Sequence, residues 1–172
     1  AYSARNLGLK EATGEFIVNH DSDDWSHPRR LEIMIEPLLE DPSMIASICS
    51  WVRVDSEFLF LRPRPDAQLV HSSVSTIMVR AFELRSIGGW NEAKVAADSE
   101  LWFRIRTIYG VECTVELLPG TPLVIAREVE NSLTTALVTH WRTDYFGLRN
   151  IYRQCYELWH RELSQNALAN SI

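Results

Sequence analysis

The apolar and polar positions of the chain predict alternating helices and strands in its first half. Residues 3–13 have a helical pattern that stops at Gly14, and Glu15 to His20 form a short apolar run typical of a buried strand. A second helix is predicted from about Pro28 to Glu40, with one apolar face and Pro42 just beyond its end. Alternation of this kind is typical of α/β proteins, and we expect a mainly parallel sheet.

The rest of the chain predicts further elements and a distinct C-terminal part. Strands are expected over 44–55, 58–62, 73–80, 112–118 and 122–127, and helices over 81–87 and 99–109. Apolar residues then recur at steps of three and four from Leu137 to Trp159, which predicts one apolar stripe on a long helix. We therefore expect a domain over residues 1–135 and a helical extension over 136–172 that packs on it.

Composition narrows the class of protein. The 172 residues are 46% hydrophobic, enough for one domain with a substantial core. No apolar run approaches the length of a membrane span, and three widely separated cysteines favour reduced thiols over a disulfide framework or a zinc site. The net charge is −6 and no basic run is present, which disfavours nucleic-acid binding. These features predict a cytoplasmic protein.

The stretch FIVNHDSDDWSHP places three carboxylates, Asp21, Asp23 and Asp24, directly after a predicted strand. A calcium loop is excluded because Trp25 and Ser26 occupy the fifth and sixth positions, where such a loop needs a ligand and a glycine. Turn and cap chemistry remains open. A magnesium or manganese site that binds a diphosphate is favoured, because crowded carboxylates repel one another unless a cation is present. Ligands of open α/β sheets also bind outside the carboxyl ends of strands.

Several motifs in order resemble one known family. The stretch ARNLGLKEATGEFIVNHDSDDWSHPRRLE resembles the central part of family-2 glycosyltransferases, with the Ala-Arg-Asn-x-Gly helix, the Ala-x-Gly-Glu turn and the Asp-x-Asp-Asp motif. The segments SSVSTIMVRAFELRSIGGWNE and AADSELWFRIR are similar to later parts of the same family. The resemblance implies an α/β fold of the GT-A (Rossmann-like) type in truncated form: a mixed sheet flanked by helices, with a long C-terminal helix.

The resemblance also implies roles for particular residues. Asp21, Asp23 and Arg5 would bind the donor and its diphosphate. Asp23 and Asp24 would bind Mn²⁺ or Mg²⁺, and Asp98 would be the catalytic base. A helix N-cap is the alternative role for Asp98.

Two further positions of the motifs have less specific roles. Trp90 could stack on a sugar ring of the donor, or it could close a turn in the core. Glu100 is expected to be an exposed charge in the first turn of a helix rather than a catalytic group.

The chain departs from the family pattern in three places, and one of them is Ala97, where the family often has glutamate. The N-terminal βαβ portion, which supplies the first strand and most of the base pocket, is not matched, so we interpret the chain as part of a longer protein. Exposed sheet edges would then favour self-association into a homo-oligomer. Val129 stands where the family often has a metal-binding histidine, so the third metal ligand is not assigned.

The leading hypothesis is a metal-dependent inverting glycosyltransferase, or its catalytic fragment, which moves a sugar from a nucleotide-sugar donor to a saccharide or lipid-linked acceptor. The alternatives are a non-catalytic binding or assembly module and a nucleotidyltransferase. The last helix carries Arg142, Arg149, Arg153 and His160 on one side. A packed helix with a solvated basic side is favoured there, and peripheral membrane contact is the alternative.

Overall fold

The computed structural model describes residues 1–61, 68–128 and 135–169, with side chains up to residue 164. The helices are α1 (Tyr2–Glu11), α2 (Arg30–Glu40), α3 (Ala81–Ser86), α4 (Ala97–Tyr109), α5 (Thr143–Phe146) and α6 (Leu148–Ala169). The strands are β1 (Phe16–Val18), β2 (Trp25–Ser26), β3 (Ala46–Val54), β4 (Phe60–Leu61), β5 (Val70–Arg80) and β6 (Thr114–Arg127).

The strands form one mixed sheet in the order β1-β5-β3-β6-β2, with β4 paired to β3. Among the described strands, β3 and β6 are the one parallel pair, and every other pairing is antiparallel. The expectation of a mainly parallel sheet was therefore wrong. Because β5 lies antiparallel between β1 and β3, the strands β1, β3 and β6 still run in one direction, and their carboxyl ends meet at one edge.

Side-chain alternation along the central strands builds a core on each face of the sheet. On β5, Ile77 and Val79 join the larger cluster with residues of α1 and α4, whereas Met78 joins the smaller cluster beneath α2. In α2, Met34 and Leu38 lie one turn apart and are fully buried in that smaller cluster. The mixed sheet flanked by helices and the long C-terminal helix are confirmed.

Two strands predicted after α4 are one strand in the structure. β6 pairs with β3 through Leu117, and the pairing resumes at Pro122, so residues 118–121 lie outside the ladder. Leu118 and Gly120 have positive φ angles of 47° and 81°, which turn the backbone out of the sheet and back. The sequence predicted two strands here because residues 118–121, which leave the ladder, do not continue the alternation of apolar and polar positions.

The C-terminal stripe was predicted on the wrong residues. Leu137 is 91% exposed, whereas Tyr156 and His160 are buried because α6 packs against α4 along that side. The placement of His160 on an exposed basic side is corrected accordingly. No helix among the described residues is long and apolar enough to cross a membrane. The boundary predicted at residue 135 stays a prediction.

Candidate functional site

A cavity of about 680 Å³ opens at the edge of the sheet where β1, β3 and β6 end. The acidic loop after β1, the first residues of α1 and α4, and a part of the C-terminal segment all contribute to its walls. The loop and the helix starts supply ionisable side chains to this space: Arg5, Asp21, Asp23, Asp24 and Asp98. The structure thus brings together five of the six predicted site residues, although they come from three separate segments of the chain.

Arg5 connects two of these carboxylates. Its Nη2 donates to Oδ1 of Asp21 at 2.8 Å, and its Nη1 donates to Oδ1 of Asp98 in a close contact. The Arg5 side chain is 17% exposed and that of Asp98 is 13% exposed, whereas Asp21 remains 47% exposed. The guanidinium therefore positions a shielded carboxylate and a solvent-accessible one on either side of it.

Asp98 lies in the first turn of α4 and points into the cavity. Ala96, not Asp98, is the N-cap residue of this helix and makes no side-chain cap bond, so the N-cap alternative for Asp98 is wrong. Tyr2 donates its hydroxyl to Oδ2 of Asp98 at 3.2 Å. Burial raises the pKa of Asp98, while the positive charge of Arg5 opposes this and the negative charge of Asp21 adds to it. A carboxylate with a raised pKa is better suited to accept a proton near neutral pH.

The acidic loop also contains turn chemistry. Asp24 donates its backbone N–H to the carbonyl of Asp21 at 3.1 Å, and its Oδ1 accepts from the backbone N–H of Arg127 at 3.1 Å. Burial raises the pKa of Asp24 to about 6, and repulsion from Asp21 and Asp23 acts in the same direction. Asp24 thus ties the loop to β6, while Asp23 is exposed on the cavity wall.

Arg30 holds the same loop from beneath, a role that the sequence analysis missed. It is 3% exposed, and its Nη2 donates to the carbonyls of Asn19 at 2.7 Å and Thr76 at 2.9 Å. Its Nη1 donates to the hydroxyl of Ser26 at 2.9 Å. Both ends of the acidic loop are therefore fixed to the sheet. The one sequence signal for this role was that an arginine occupies a position of α2 that faces the core.

The carboxylates of the loop are compatible with a metal site in which the substrate supplies the remaining ligands. No group of three His, Cys, Asp or Glu side chains that could hold a metal ion occurs among residues 1–61, 68–128 and 135–164. Magnesium sites in phosphate-binding proteins commonly use one or two carboxylates together with substrate phosphates and water. Asp23 and Asp24 are the two carboxylates of the loop that would supply such oxygen donors. Val129, which replaces the expected histidine, lies outside the described residues.

Two predicted positions are buried away from the cavity. Trp90 is 2% exposed in the larger core cluster and does not line the cavity, so its ring has no face for a donor sugar. Glu100 was expected to be exposed but is 0% exposed. It pairs with Arg104 and His160, and none of the three lines the cavity. The sequence left the core role of Trp90 open as an alternative, and the burial of Glu100 was missed because it depends on what packs over α4.

A second wall of the cavity contains aromatic and cationic side chains that were not predicted. Trp51 donates its indole N–H to Nε2 of His71 at 2.9 Å, and the Arg53 guanidinium lies 4.5 Å from the Trp51 ring centroid. Trp141 and Arg149 line the same cavity from the C-terminal segment. Tryptophan and arginine are common in packed helices and strands, so nothing in the sequence distinguished these cavity-lining residues from residues of the core.

Comparison with known proteins gives two matches. The sequence model of the family described as "Glycosyl transferase family 2" matches residues 1–100. A relative from Rickettsia bellii (strain RML369-C), named "Uncharacterized glycosyltransferase", is 39% identical over 59 residues. That match covers 34% of this chain and 8% of the relative, so the chain spans only a small part of that protein. The first match includes the acidic loop and the start of α4.

Proposed function

Because the chain belongs to glycosyl transferase family 2, we propose that it provides the catalytic centre of a metal-dependent, inverting transferase. The enzyme would move a sugar from a nucleotide-sugar donor to a hydroxyl acceptor. One observation carries this proposal: Arg5 holds Asp21 of the acidic loop and Asp98 of α4 together in one cavity. A donor site and a proton acceptor are needed in the same place for such a transfer.

Asp98 is the proton acceptor in this proposal. The acceptor hydroxyl loses its proton to the Asp98 carboxylate while its oxygen bonds to the anomeric carbon of the donor sugar. The bond from that carbon to the diphosphate oxygen breaks, and the nucleoside diphosphate leaves with the electron pair. A single displacement of this kind inverts the anomeric configuration. The Tyr2 hydroxyl and Arg5 orient the carboxylate.

The acidic loop would bind the diphosphate end of the donor. Asp23 and Asp24 would hold Mn²⁺ or Mg²⁺, which when bound neutralises charge on the diphosphate. Asp21 would lie beside the donor, and its exposed carboxylate already faces the cavity. Arg5 is engaged by two carboxylates, so its proposed role is to orient them, and direct contact with the diphosphate would require it to release one.

The first test is thermal unfolding with Mn²⁺ or Mg²⁺ and a panel of nucleoside diphosphates. A ligand at about 100 times its dissociation constant should stabilise the chain by about 2.7 kcal/mol. We expect this shift to need both the metal and one nucleotide and to disappear in Asp23→Ala. If every nucleotide leaves the unfolding temperature unchanged, or if Asp23→Ala responds like the wild type, the proposed donor site is wrong.

The second test separates binding from catalysis. Asp98→Asn keeps the shape of the side chain but removes its proton-accepting charge. We expect it to retain the nucleotide-dependent thermal shift and to lose roughly 10²-fold or more in the rate of nucleoside diphosphate release. Nucleotide binding without turnover in the wild type would instead support the alternative of a non-catalytic binding module.

A further inference from the structure

The turn between β3 and β4 exposes three consecutive apolar side chains. Phe58, Leu59 and Phe60 are each 64–66% exposed. The turn follows the end of β3, at the edge of the sheet where the cavity opens. Arg53, which lines the cavity, is the register partner of Leu61 in β4, so the turn lies at the rim of the cavity. We call residues 55–61 the apolar turn.

The apolar turn has a defined backbone structure. The Asp55 carboxylate accepts from the backbone N–H groups of Glu57 and Leu59, both at 2.9 Å, and the Asp55 N–H donates to the carbonyl of Leu59 at 3.1 Å. Phe58 has a φ angle of 60°, an unfavourable value for a residue with a Cβ. Backbone strain of this kind is often found at binding sites. The turn therefore presents its apolar side chains from a fixed position.

The segment 137–153 exposes a second group of apolar side chains at the same cavity. Trp141 and Arg149 of this segment line the cavity. Hydrogen bonds fix the segment, because Arg149 donates from Nε to the carbonyl of Thr139 at 2.9 Å and Asn150 donates to the carbonyl of Tyr145 at 3.0 Å. Four of its apolar side chains are between 62% and 97% exposed: Leu137, Val138, Phe146 and Ile151.

The charge of this second segment is opposite in sign to that of the chain. Residues 137–153 contain three arginines, Arg142, Arg149 and Arg153, and one acidic residue, Asp144, whereas the whole chain has a net charge of −6. The side chains of Arg142 and Arg153 are exposed. We call residues 137–153 the basic segment. Its arginines would attract an anionic surface.

The shape of these groups favours a lipid surface over a protein partner. Leu137 is 91% exposed and Phe146 is 97% exposed, so solvent surrounds each of them on nearly every side. A protein partner would need a separate pocket for each protruding side chain. The interfacial layer of a bilayer is fluid and can surround such side chains, while neighbouring arginines reach the lipid phosphates.

We propose that the apolar turn and the basic segment together form a docking surface for an anionic lipid bilayer. Phe58, Leu59, Phe60 and Phe146 enter the interfacial layer, and Arg142 and Arg153 lie at the lipid phosphates. Both parts adjoin the cavity, so docking places the cavity beside the lipid surface. The proposal does not rest on the transferase function, because lipid binding is measured without a donor or an acceptor.

The test is flotation of the chain with vesicles of phosphatidylcholine alone and of phosphatidylcholine mixed with phosphatidylglycerol. We expect at least about tenfold stronger binding to the anionic vesicles, and we expect high salt to weaken it. Equal binding to both vesicle types, or binding to neither, would overturn the proposal.

Four variants locate the surface: Phe58→Asn, Phe146→Ser, the double variant Arg142→Gln with Arg153→Gln, and Phe82→Ser. Asparagine tolerates the left-handed conformation of Phe58, so Phe58→Asn removes the apolar ring and keeps the turn. Phe82 is the matched control, because it is a phenylalanine on α3 that is 78% exposed and does not line the cavity. Thermal unfolding of each variant checks that its fold is intact.

The expected losses differ between the variants. Phe58→Asn and Phe146→Ser should each weaken binding to anionic vesicles about tenfold, because each removes apolar surface from the lipid contact. The double arginine variant should lose about tenfold or more on anionic vesicles and bind neutral vesicles as the wild type does. Phe82→Ser should bind like the wild type.

Two results would contradict this surface even if the wild type binds lipid. An equal loss in Phe82→Ser and Phe146→Ser would mean that exposed apolar residues act without regard to position. Self-association of the wild type that Phe146→Ser abolishes, without vesicle binding, would show that a second copy of the chain occupies the surface. Absence of nucleoside diphosphate release, with the expected vesicle binding, would contradict only the proposed reaction.

Discussion

At the residue scale, the chemistry of Asp98 is set by burial and by two neighbours of opposite charge. Burial disfavours the ionised carboxylate, Arg5 favours it, and Asp21 on the far side of Arg5 disfavours it again. The balance leaves the pKa of Asp98 above the usual range for aspartate. Each of the two neighbours can be removed separately, and the two removals have opposite expected effects.

The proposed catalytic role predicts a shifted pH dependence. Activity should rise with pH as Asp98 loses its proton, because only the carboxylate accepts the acceptor hydroxyl's proton. Arg5→Met removes the opposing positive charge, so this rise should move to higher pH by about one unit or more. Asp21→Asn removes a negative charge, so it should move to lower pH. The check is the pH profile of kcat/KM for nucleoside diphosphate release, and shifts of both variants in the same direction would contradict the assignment.

Asp24 gives a second prediction, on stability. Its pKa is about 6 in the folded chain and about 4 in the unfolded chain, so between these values the folded state binds more protons. Its contribution to the free energy of unfolding therefore decreases as the pH rises from about 4 to about 6. The upper limit is about 3 kcal/mol, and solvent screening at this half-buried site reduces it.

Asp24→Asn should not show this decrease. We expect the variant to match the wild type near pH 4 and to be more stable above pH 6, in metal-free buffer with a chelator. Urea unfolding at several pH values measures the difference. A constant difference between the two proteins across this range would mean that Asp24 titrates normally in the fold.

At the scale of elements, the turn between α3 and the loop before α4 depends on two adjacent glycines with different surroundings. Gly88 and Gly89 both have positive φ angles, of 86° and 73°. A Cβ on Gly89 would lie 2.6 Å from Oδ1 of Asn6, whereas a Cβ on Gly88 would meet no atom within 4 Å. The first glycine is therefore needed for conformation alone, and the second also for close approach of the backbone to α1.

Alanine at the two positions should separate these causes. Gly88→Ala should destabilise the fold by about 1–2 kcal/mol, the cost of a left-handed conformation for a residue with a Cβ. Gly89→Ala should cost more, because it also displaces Asn6 from Trp90, and it should lower activity since Arg5 precedes Asn6 on α1. Urea unfolding and nucleoside diphosphate release measure both effects. Equal losses of stability would show that the contact with Asn6 is easily relieved.

The extended and helical elements were predicted well where they are long and periodic. The predicted helix over 99–109 is most of α4, and the predicted strand over 73–80 is most of β5. The two-residue strand β2 was missed because its pairing with β6 depends on a distant segment rather than on a local pattern. The interruption at Gly147 between α5 and α6 was also missed, because apolar spacing continues across it.

At the scale of the whole molecule, Glu100 and Arg104 form a buried ionic contact within α4, and His160 of α6 contacts the same carboxylate. Removing one partner from such a contact usually costs about 3–5 kcal/mol, because the other charge remains buried. We expect Glu100→Gln to lose stability of this order, since it leaves Arg104 only 5% exposed and without its carboxylate.

A surface pair supplies the control. Arg29 and Glu32 are 66% and 65% exposed and bond at 2.8 Å, a contact as short as the 3.0 Å contact between Glu100 and Arg104. Because water screens exposed pairs, Glu32→Gln should leave the free energy of unfolding almost unchanged. Chemical unfolding of both variants gives the comparison. If Glu100→Gln costs no more than Glu32→Gln, the buried pair of Glu100 and Arg104 stabilises the fold no more than an exposed pair does.

The sequence by itself determined the family, the α/β class and the residues that carry the proposed chemistry. Asp21, Asp23, Asp24 and Asp98 were identifiable because they occur in short motifs whose spacing is local to the chain. The tertiary structure alone decided which of them meet, through Arg5, and which predicted positions are buried, as Trp90 and Glu100 are. It also decided that the C-terminal segment forms a wall of the cavity. The physical reason is that spacing in a motif reflects local backbone geometry, whereas burial and pairing depend on segments that become neighbours only when the sheet and helices pack together.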